Sequence, residues 1–361
     1  MRPRSFDQPV KTILGRALAT RSQAKMTIKK LAAAVSAFML LVGATSANAD
    51  NWRYAIEEAL TDPQGMYATK FKEVVEANSD HTVQIFPIGS LGESADAMEQ
   101  AQAGLLQFII QSPGFTGALI PEAEAFLVPY VQPTDPQEVR TYFKEGVAIN
   151  EMFHEIYGEQ GLELLAMFPE GEMVVTTMEE FRSPEDLAGM KIRTMTSPLL
   201  LETYTAFGAS PIAMSWGELI GALKTNMVDG QENPTVWIEA YDLDNLTNVM
   251  TYTGHGQYTT AMMANGDFYN GLGDEDKALV QKASQEALDY ILDVAVELDA
   301  IGLAKIQETN PDYKIVRLTE EERAVFKERA MAVEAAFVER AGPRGAAILE
   351  QMKKDLETAR Q

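Results

Sequence analysis

The sequence predicts an α/β protein of two lobes, with one long helix crossing both. Three observations lead there. Strand-like and helix-like segments alternate over residues 51–111, and the alternation restarts after Pro169. The run 274–308 has few helix breakers and would extend roughly 50 Å at ~1.5 Å per residue, further than one small lobe. At 361 residues the chain exceeds one ordinary domain and can bury two cores. Strands separated by helices argue for a largely parallel sheet.

Before the first strand comes MTIKKLAAAVSAFMLLVGATSANAD, residues 26–50. Lys29 and Lys30 form a basic start, 31–42 an apolar stretch, and Ala47 and Ala49 a small-residue cleavage pattern. Residues 1–49 are therefore expected to be a signal peptide, with Met26 as its natural initiator and cleavage after Ala49. The apolar stretch is short for a bilayer span, and no later segment is long and apolar enough, so direct membrane insertion is not expected. Eight Lys/Arg and one Asp lie in 1–49, so the remaining 312 residues carry 22 basic and 52 acidic side chains, a net −30. Such a charge argues against nucleic acid and anionic lipid as partners. The chain has no cysteine, hence no disulfide, thiol nucleophile or Cys-based metal site.

NWRYAIEE, 51–58, alternates Trp52, Tyr54 and Ile56 and reads as a strand. A helix over 65–78 follows, with Phe71, Val74 and Val75 on its apolar side. HTVQIFP, 81–87, is a strand stopped by Pro87. SLGESADAMEQAQAG forms a helix ending near Gly104. LLQFIIQ, 105–111, is a buried strand halted by Ser112-Pro113-Gly114. SPEDLAG, 183–189, has Ser183 as N-cap, Pro184 at the first helical position and Gly189 as the stop, so a short helix is expected. MKIRTM is a strand, and Ser197-Pro198 opens a helix that Gly208 ends. A strand around 211–214 precedes the helix 216–227, where Ser215 and Glu218 have capping-box spacing.

Two α/β lobes, an export signal and no catalytic cluster favour an exported binding protein. In open α/β sheets ligands sit beyond the carboxyl ends of strands. Five residues are placed there. Glu58 closes the first strand, and Phe115 follows the strand 105–111. Arg193 lies late in MKIRTM, Trp216 follows 211–214, and Asn233 precedes Pro234 and the helix carrying Trp237. Arg193 could grip a carboxylate with two parallel hydrogen bonds or serve a structural ion pair. Asn233 could cap the helix, present its amide to a ligand, or both; Trp237, four positions on, would share its helical face. Trp216, Trp237 and Phe115 could equally fill cores, and Glu58 could be a solvated strand end. His81, His154 and His255 lack metal-site spacing, and no cofactor is expected.

KIRTMTSPLLLETYTAFGASPIAMSWGELIGALKTNMVDGQENP resembles the signature of TRAP-transporter solute-binding proteins, the DctP-type family. Its marks are the strand ending Lys-Ile-Arg, the Gly-Ala-x-Pro turn and the phrase Val-Asp-Gly-Gln-Glu-Asn-Pro. NWRYAIEE, NSDHTVQ, LQFIIQSPGFTG, FPEGEMVV and TTAMMAN are similar to the ectoine- and hydroxyectoine-binding branch. The resemblance implies a periplasmic two-lobe protein, not an enzyme, that closes over a small zwitterionic carboxylate and delivers it to membrane subunits of a sodium-driven transporter. It implies that Arg193 and Asn233 take the carboxylate and Glu58 the ring cation. Phe115, Trp216, Trp237 and Tyr258 would form an aromatic box. Tyr258 departs from the branch's phenylalanine, adding a hydroxyl. Relatives that bind sialic acid place a second arginine near the position of Met173, which this chain lacks. Lobe I is expected over 50–170 and 259–298, and lobe II over 171–258 and 299–361. Competing readings are a family member for another small carboxylate, such as an aromatic or keto acid, an exported acid–base enzyme, and a sensor subunit.

Overall fold

The computed structural model describes residues 49–361; the expected signal peptide, 1–48 of its 49 positions, lies outside the described residues. Strand β1 (Asn51–Ala55), helix α1 (Pro63–Asn78), β2 (Thr82–Phe86), α2 (Ser94–Gln102) and β3 (Phe108–Gln111) follow the expected alternation. Trp52 and Tyr54 on β1 are buried, and Asn51 and Arg53 before each of them are exposed, as a half-covered strand requires. The order is β2-β1-β3, all parallel, with α1 laying Phe71, Val74 and Val75 into the core. β1 ends at Ala55, so Glu57 and Glu58 sit in a bend beyond it rather than on the strand.

A short helix α3 (Pro113–Thr116) leaves β3, then α4 (Pro136–Glu145) and α5 (Phe153–Glu159) lead to β4 (Leu162–Thr177). This 16-residue strand belongs to both halves of the sheet. Residues 162–172 run antiparallel to β9 (Gln257–Asn265), and 173–177 run antiparallel to β7 (Gly230–Pro234). The β4–β9 register shifts twice, between Leu164 and Ala166 and between Pro169 and Gly171, so Pro169 falls at a bulge, where a missing N–H is tolerated. The expected largely parallel sheet is thus mixed. Parallel β1–β3 and parallel β5 (Lys191–Thr194), β6 (Ser210–Ala213) and β7 are joined through the antiparallel pair β4 and β9. The order is β2-β1-β3-β9-β4-β7-β5-β6, with β8 (Val249–Tyr252) on β4 and β10 (Lys314–Arg317) on β8.

Helices α6 (Pro198–Ala206), α7 (Trp216–Lys224) and α8 (Thr235–Ala240) cover the second half. The Ser215–Glu218 capping box opens α7 as expected. The expected helix 183–189 is instead a series of turns. Asp186 accepts from the Arg182 and Ser183 backbone N–H groups, and only six residues separate Pro184 from Gly189 inclusive, too few for a nucleated helix.

After α9 (Gly266–Gly271), α10 (Asp274–Thr309) is one helix of 36 residues, as expected. Its Val280, Ala283, Ala287 and Ile291 pack with β1–β3 and β9, and its Ile306 packs with Leu219, Leu223, Ile238 and Met250 of the second half. It therefore crosses both lobes. The final helix α11 (Glu320–Ala359) does so too: Phe326 and Ala330 join the second lobe, whereas Phe337, Ile348, Leu349 and Met352 join the core of the first. Its last turns thus lie against lobe I, whereas 299–361 was expected wholly with lobe II. Gly342 breaks it at φ +67°, a conformation that glycine reaches without a Cβ penalty, and Pro343 restarts it. Among the described residues no helix is long and apolar enough to cross a membrane.

Candidate ligand-binding site

Six of the seven residues singled out in the sequence line one cavity between the sheet halves. Phe115, Arg193, Trp216, Asn233, Trp237 and Tyr258 surround it, together with Glu57, Ile88, Ser94 and Met195. A larger hollow behind the β4 crossing contains none of the seven.

Arg193 sits on β5 and is 1% exposed. Its Nε and Nη2 both donate to the Met214 carbonyl, at 3.2 and 2.9 Å. No carboxylate pairs with it among the described residues, so the structural ion pair weighed as an alternative is absent there. The chelate at Met214 uses one edge of the guanidinium and leaves the other edge, Nη1 and the second Nη2 hydrogen, for a ligand. Burial lowers its pKa to about 10, which keeps it charged at neutral pH.

Asn233 does not cap a helix. It is the fourth residue of β7, Pro234 occupies the N-cap of α8, and the Asn233 amide donates to Gln231 Oε1. The expected common helical face with Trp237 therefore does not exist. The two reach the same cavity because the strand end and the first turn of α8 converge there.

The aromatic residues form a connected set. Trp216 meets Trp237 edge-on at 5.1 Å, and Trp237 stacks on Tyr258 at 6.1 Å. Tyr241, not singled out in the sequence, stacks on Trp237 at 5.4 Å and meets Trp216 edge-on at 4.9 Å. Its hydroxyl donates to Asp62 Oδ2 at 2.9 Å, linking α8's end to the start of α1 in the other lobe. Phe115, on α3, packs with Met173, Met195, Leu200 and Tyr258.

Glu58 is the exception. It is fully buried, but Glu57 is the residue that lines the cavity. Glu58 Oε2 accepts from the Gln64 backbone N–H at 2.8 Å, and its other oxygen has no hydrogen-bond donor. Glu57 Oε2 accepts from the Ser112 N–H at 2.9 Å, and its Oε1 is likewise unpartnered. Burial pushes the Glu57 carboxyl up to about 8, against the Ser112 bond and the nearby Ser94 and Gln64 side chains, which pull it down. Glu58 is raised by burial and by the neighbouring Glu170, a β4 residue also missed in the sequence. Because β1 stops at Ala55, strand parity could not decide between Glu57 and Glu58.

With this geometry the chain can be set beside known proteins. The model of bacterial extracellular solute-binding proteins, family 7, matches residues 54–340. The chain belongs to that family. It is 53% identical over 324 residues to the ectoine/5-hydroxyectoine-binding periplasmic protein UehA of Ruegeria pomeroyi, covering 90% of this chain and 96% of that one. It is 52% identical over 332 residues to the ectoine-binding periplasmic protein TeaA of Halomonas elongata, covering 92% and 97%. The high-resolution structure of the periplasmic ectoine-binding protein of the TeaABC TRAP transporter superposes with a TM-score of 0.84 at 53% identity, over 86% of this chain and all of that one.

Proposed function

We propose that this family member is the solute-binding subunit of a TRAP transporter and that its ligand is ectoine or 5-hydroxyectoine. One observation carries the reading beyond the names of relatives. The cavity is lined by a buried guanidinium with no carboxylate partner from one lobe and a buried carboxyl with a free oxygen from the other. A buried guanidinium without a carboxylate and a buried acid without a counter-ion are each costly, so such a pair favours a ligand that supplies both complements. Ectoine is a small ring bearing a carboxylate beside a delocalised amidinium. Arg193 and Asn233 take the carboxylate, Glu57 with Glu58 behind it balances the amidinium, and Phe115, Trp216, Trp237 and Tyr258 enclose the ring. Each cation–π contact of this kind contributes about 0.5–2 kcal/mol when desolvated.

The protein is exported to the periplasm with cleavage of residues 1–49, returns its ligand unchanged and presents it to the transporter's membrane subunits. Residues 50–170 and 259–298 form lobe I and 171–258 lobe II. The chain after 299 begins with lobe II and finishes on lobe I. Ligand contacts made only with the lobes together shift an open–closed equilibrium toward closure. A purely anionic aromatic or keto acid would leave the carboxyl group of Glu57 without a complement.

Titration calorimetry of ligand-stripped protein with ectoine, hydroxyectoine, pyruvate and benzoate tests the reading. One-to-one binding of ectoine or its hydroxy form, without heat from the two acids, is the expected result. Heat from an acid alone would overturn the ligand and keep the family.

A further inference from the structure

Gln64, in the first turn of α1, touches three buried glutamates, two at the carboxyl and Glu57 at its backbone. Its side-chain oxygen accepts from the Glu57 N–H at 2.9 Å, its backbone N–H donates to Glu58, and its Nε2 donates to Glu170 Oε1 at 3.1 Å. Each carboxyl is left with one buried oxygen without a donor: Glu57 Oε1, Glu58 Oε1 and Glu170 Oε2. The Trp237 indole N–H, on the cavity wall and without a partner within hydrogen-bond distance, stands beside Glu170 and favours its ionised form. None of the three acids is in an ion pair among the described residues. Of these acids, Glu57 opens onto the cavity while 8% exposed.

The groups packed around the three acids add no positive charge to neutralise them. Asp62 at the start of α1 is a fourth carboxylate, already accepting from Ala59 N–H and the Tyr241 hydroxyl. Tyr258 from β9 and Tyr241 beyond α8 are phenols whose ionisation burial opposes. Arg193 stands across the cavity on β5, held by Met214.

We propose that Glu57, Glu58 and Glu170 act as one proton-exchanging selector: the cationic group of a ligand displaces a proton from the cluster to solvent, and a ligand without a cation does not. Three adjacent carboxyls without a counter-ion cannot all ionise in a desolvated site, so the empty protein holds protons there. Burial places Glu57 at about 8 and Glu170 at about 7, with Glu58 raised by burial and by Glu170, which brings exchange into the neutral range. A bound cation favours the ionised form, so the proton leaves as the ligand enters. Affinity then falls as pH is lowered from 8 to 6, by up to about tenfold per unit for one linked proton.

This inference rests on the ectoine reading, and the experiment separates the two. Binding of ectoine to the wild-type protein is measured calorimetrically at pH 7 in phosphate and in Tris, whose ionisation enthalpies differ. Apparent heats that differ by the buffer term, corresponding to proton release, are expected. Glu57→Gln should lose most of that release and flatten the pH profile of binding. Ectoine binding with equal heats in both buffers would overturn the selector and leave the ligand assignment standing. Equal release from wild type and Glu57→Gln would place the proton elsewhere and overturn it too. Absence of binding by ectoine and hydroxyectoine would remove both readings.

Discussion

Arg193 offers the sharpest test of how the cavity is built. Its guanidinium edge at Nε and Nη2 is already committed to the Met214 carbonyl, so the free edge can give a ligand carboxylate two parallel hydrogen bonds. Charged hydrogen bonds contribute about 1.5–3 kcal/mol each. Losing both in Arg193→Met should therefore weaken ectoine binding by about 3–5 kcal/mol, or roughly two to three and a half decades in Kd. Arg193→Lys keeps a charge but cannot hold Met214 and both carboxylate oxygens together; a loss of about one to two decades is expected. Calorimetry reads both. Stability supplies an independent sign. Burial lowers the Arg193 pKa, so the charge is a burden on the empty protein, and ligand-free Arg193→Met should melt no lower than wild type while losing its ligand-induced rise in Tm. A loss of binding smaller than about fivefold, or a large drop in ligand-free Tm, would refute the assignment of this side chain to the ligand.

Two further outcomes follow from the same geometry. The carboxyls of Glu57 and Glu170 have folded pKa values raised to about 8 and 7, so the folded state binds more protons than the unfolded chain above the ordinary carboxylate range. Their contribution is favourable at low pH and is lost as pH rises through these values, so ligand-free stability measured by urea unfolding should decline from pH 5 to 8, less steeply in Glu170→Gln. Tyr241→Phe removes the hydroxyl that donates to Asp62 across the lobes, and a loss of about 0.5–1.5 kcal/mol should appear mainly as faster ligand release in stopped-flow tryptophan fluorescence.

Much of lobe I was legible because its strands are half-covered and its helices are punctuated. Trp52 and Tyr54 alternate with exposed neighbours, and Pro63 and Ser94 fall where helices begin. The seam of the molecule was not. Residues 162–177 are buried on both faces and so show no period of two, while Pro169 and Gly171 read as a break although bulges carry the strand past them. Gly342-Pro343 likewise looks like the end of a helix, yet α11 resumes beyond it. In the site, Arg193, Trp216, Asn233 and Trp237 could be placed because each follows or ends a short parallel strand. Glu170, Gln64 and Tyr241 could not, since their roles depend on partners 106 to 179 residues distant in sequence.

The lobes are joined by a strand ladder rather than by free loops. β4 passes from one half to the other while hydrogen-bonded to β9, and its second irregularity, at Pro169 and Gly171, lies at the crossing. There Asp299 of α10 accepts from the Glu172 N–H and from the Val236 N–H at the start of α8, both at 3.2 Å. Bending a ladder is easiest where its rungs are already missing. A crease of this kind singles out one line of bending and leaves the ladder on either side in register, as in a folded sheet of card.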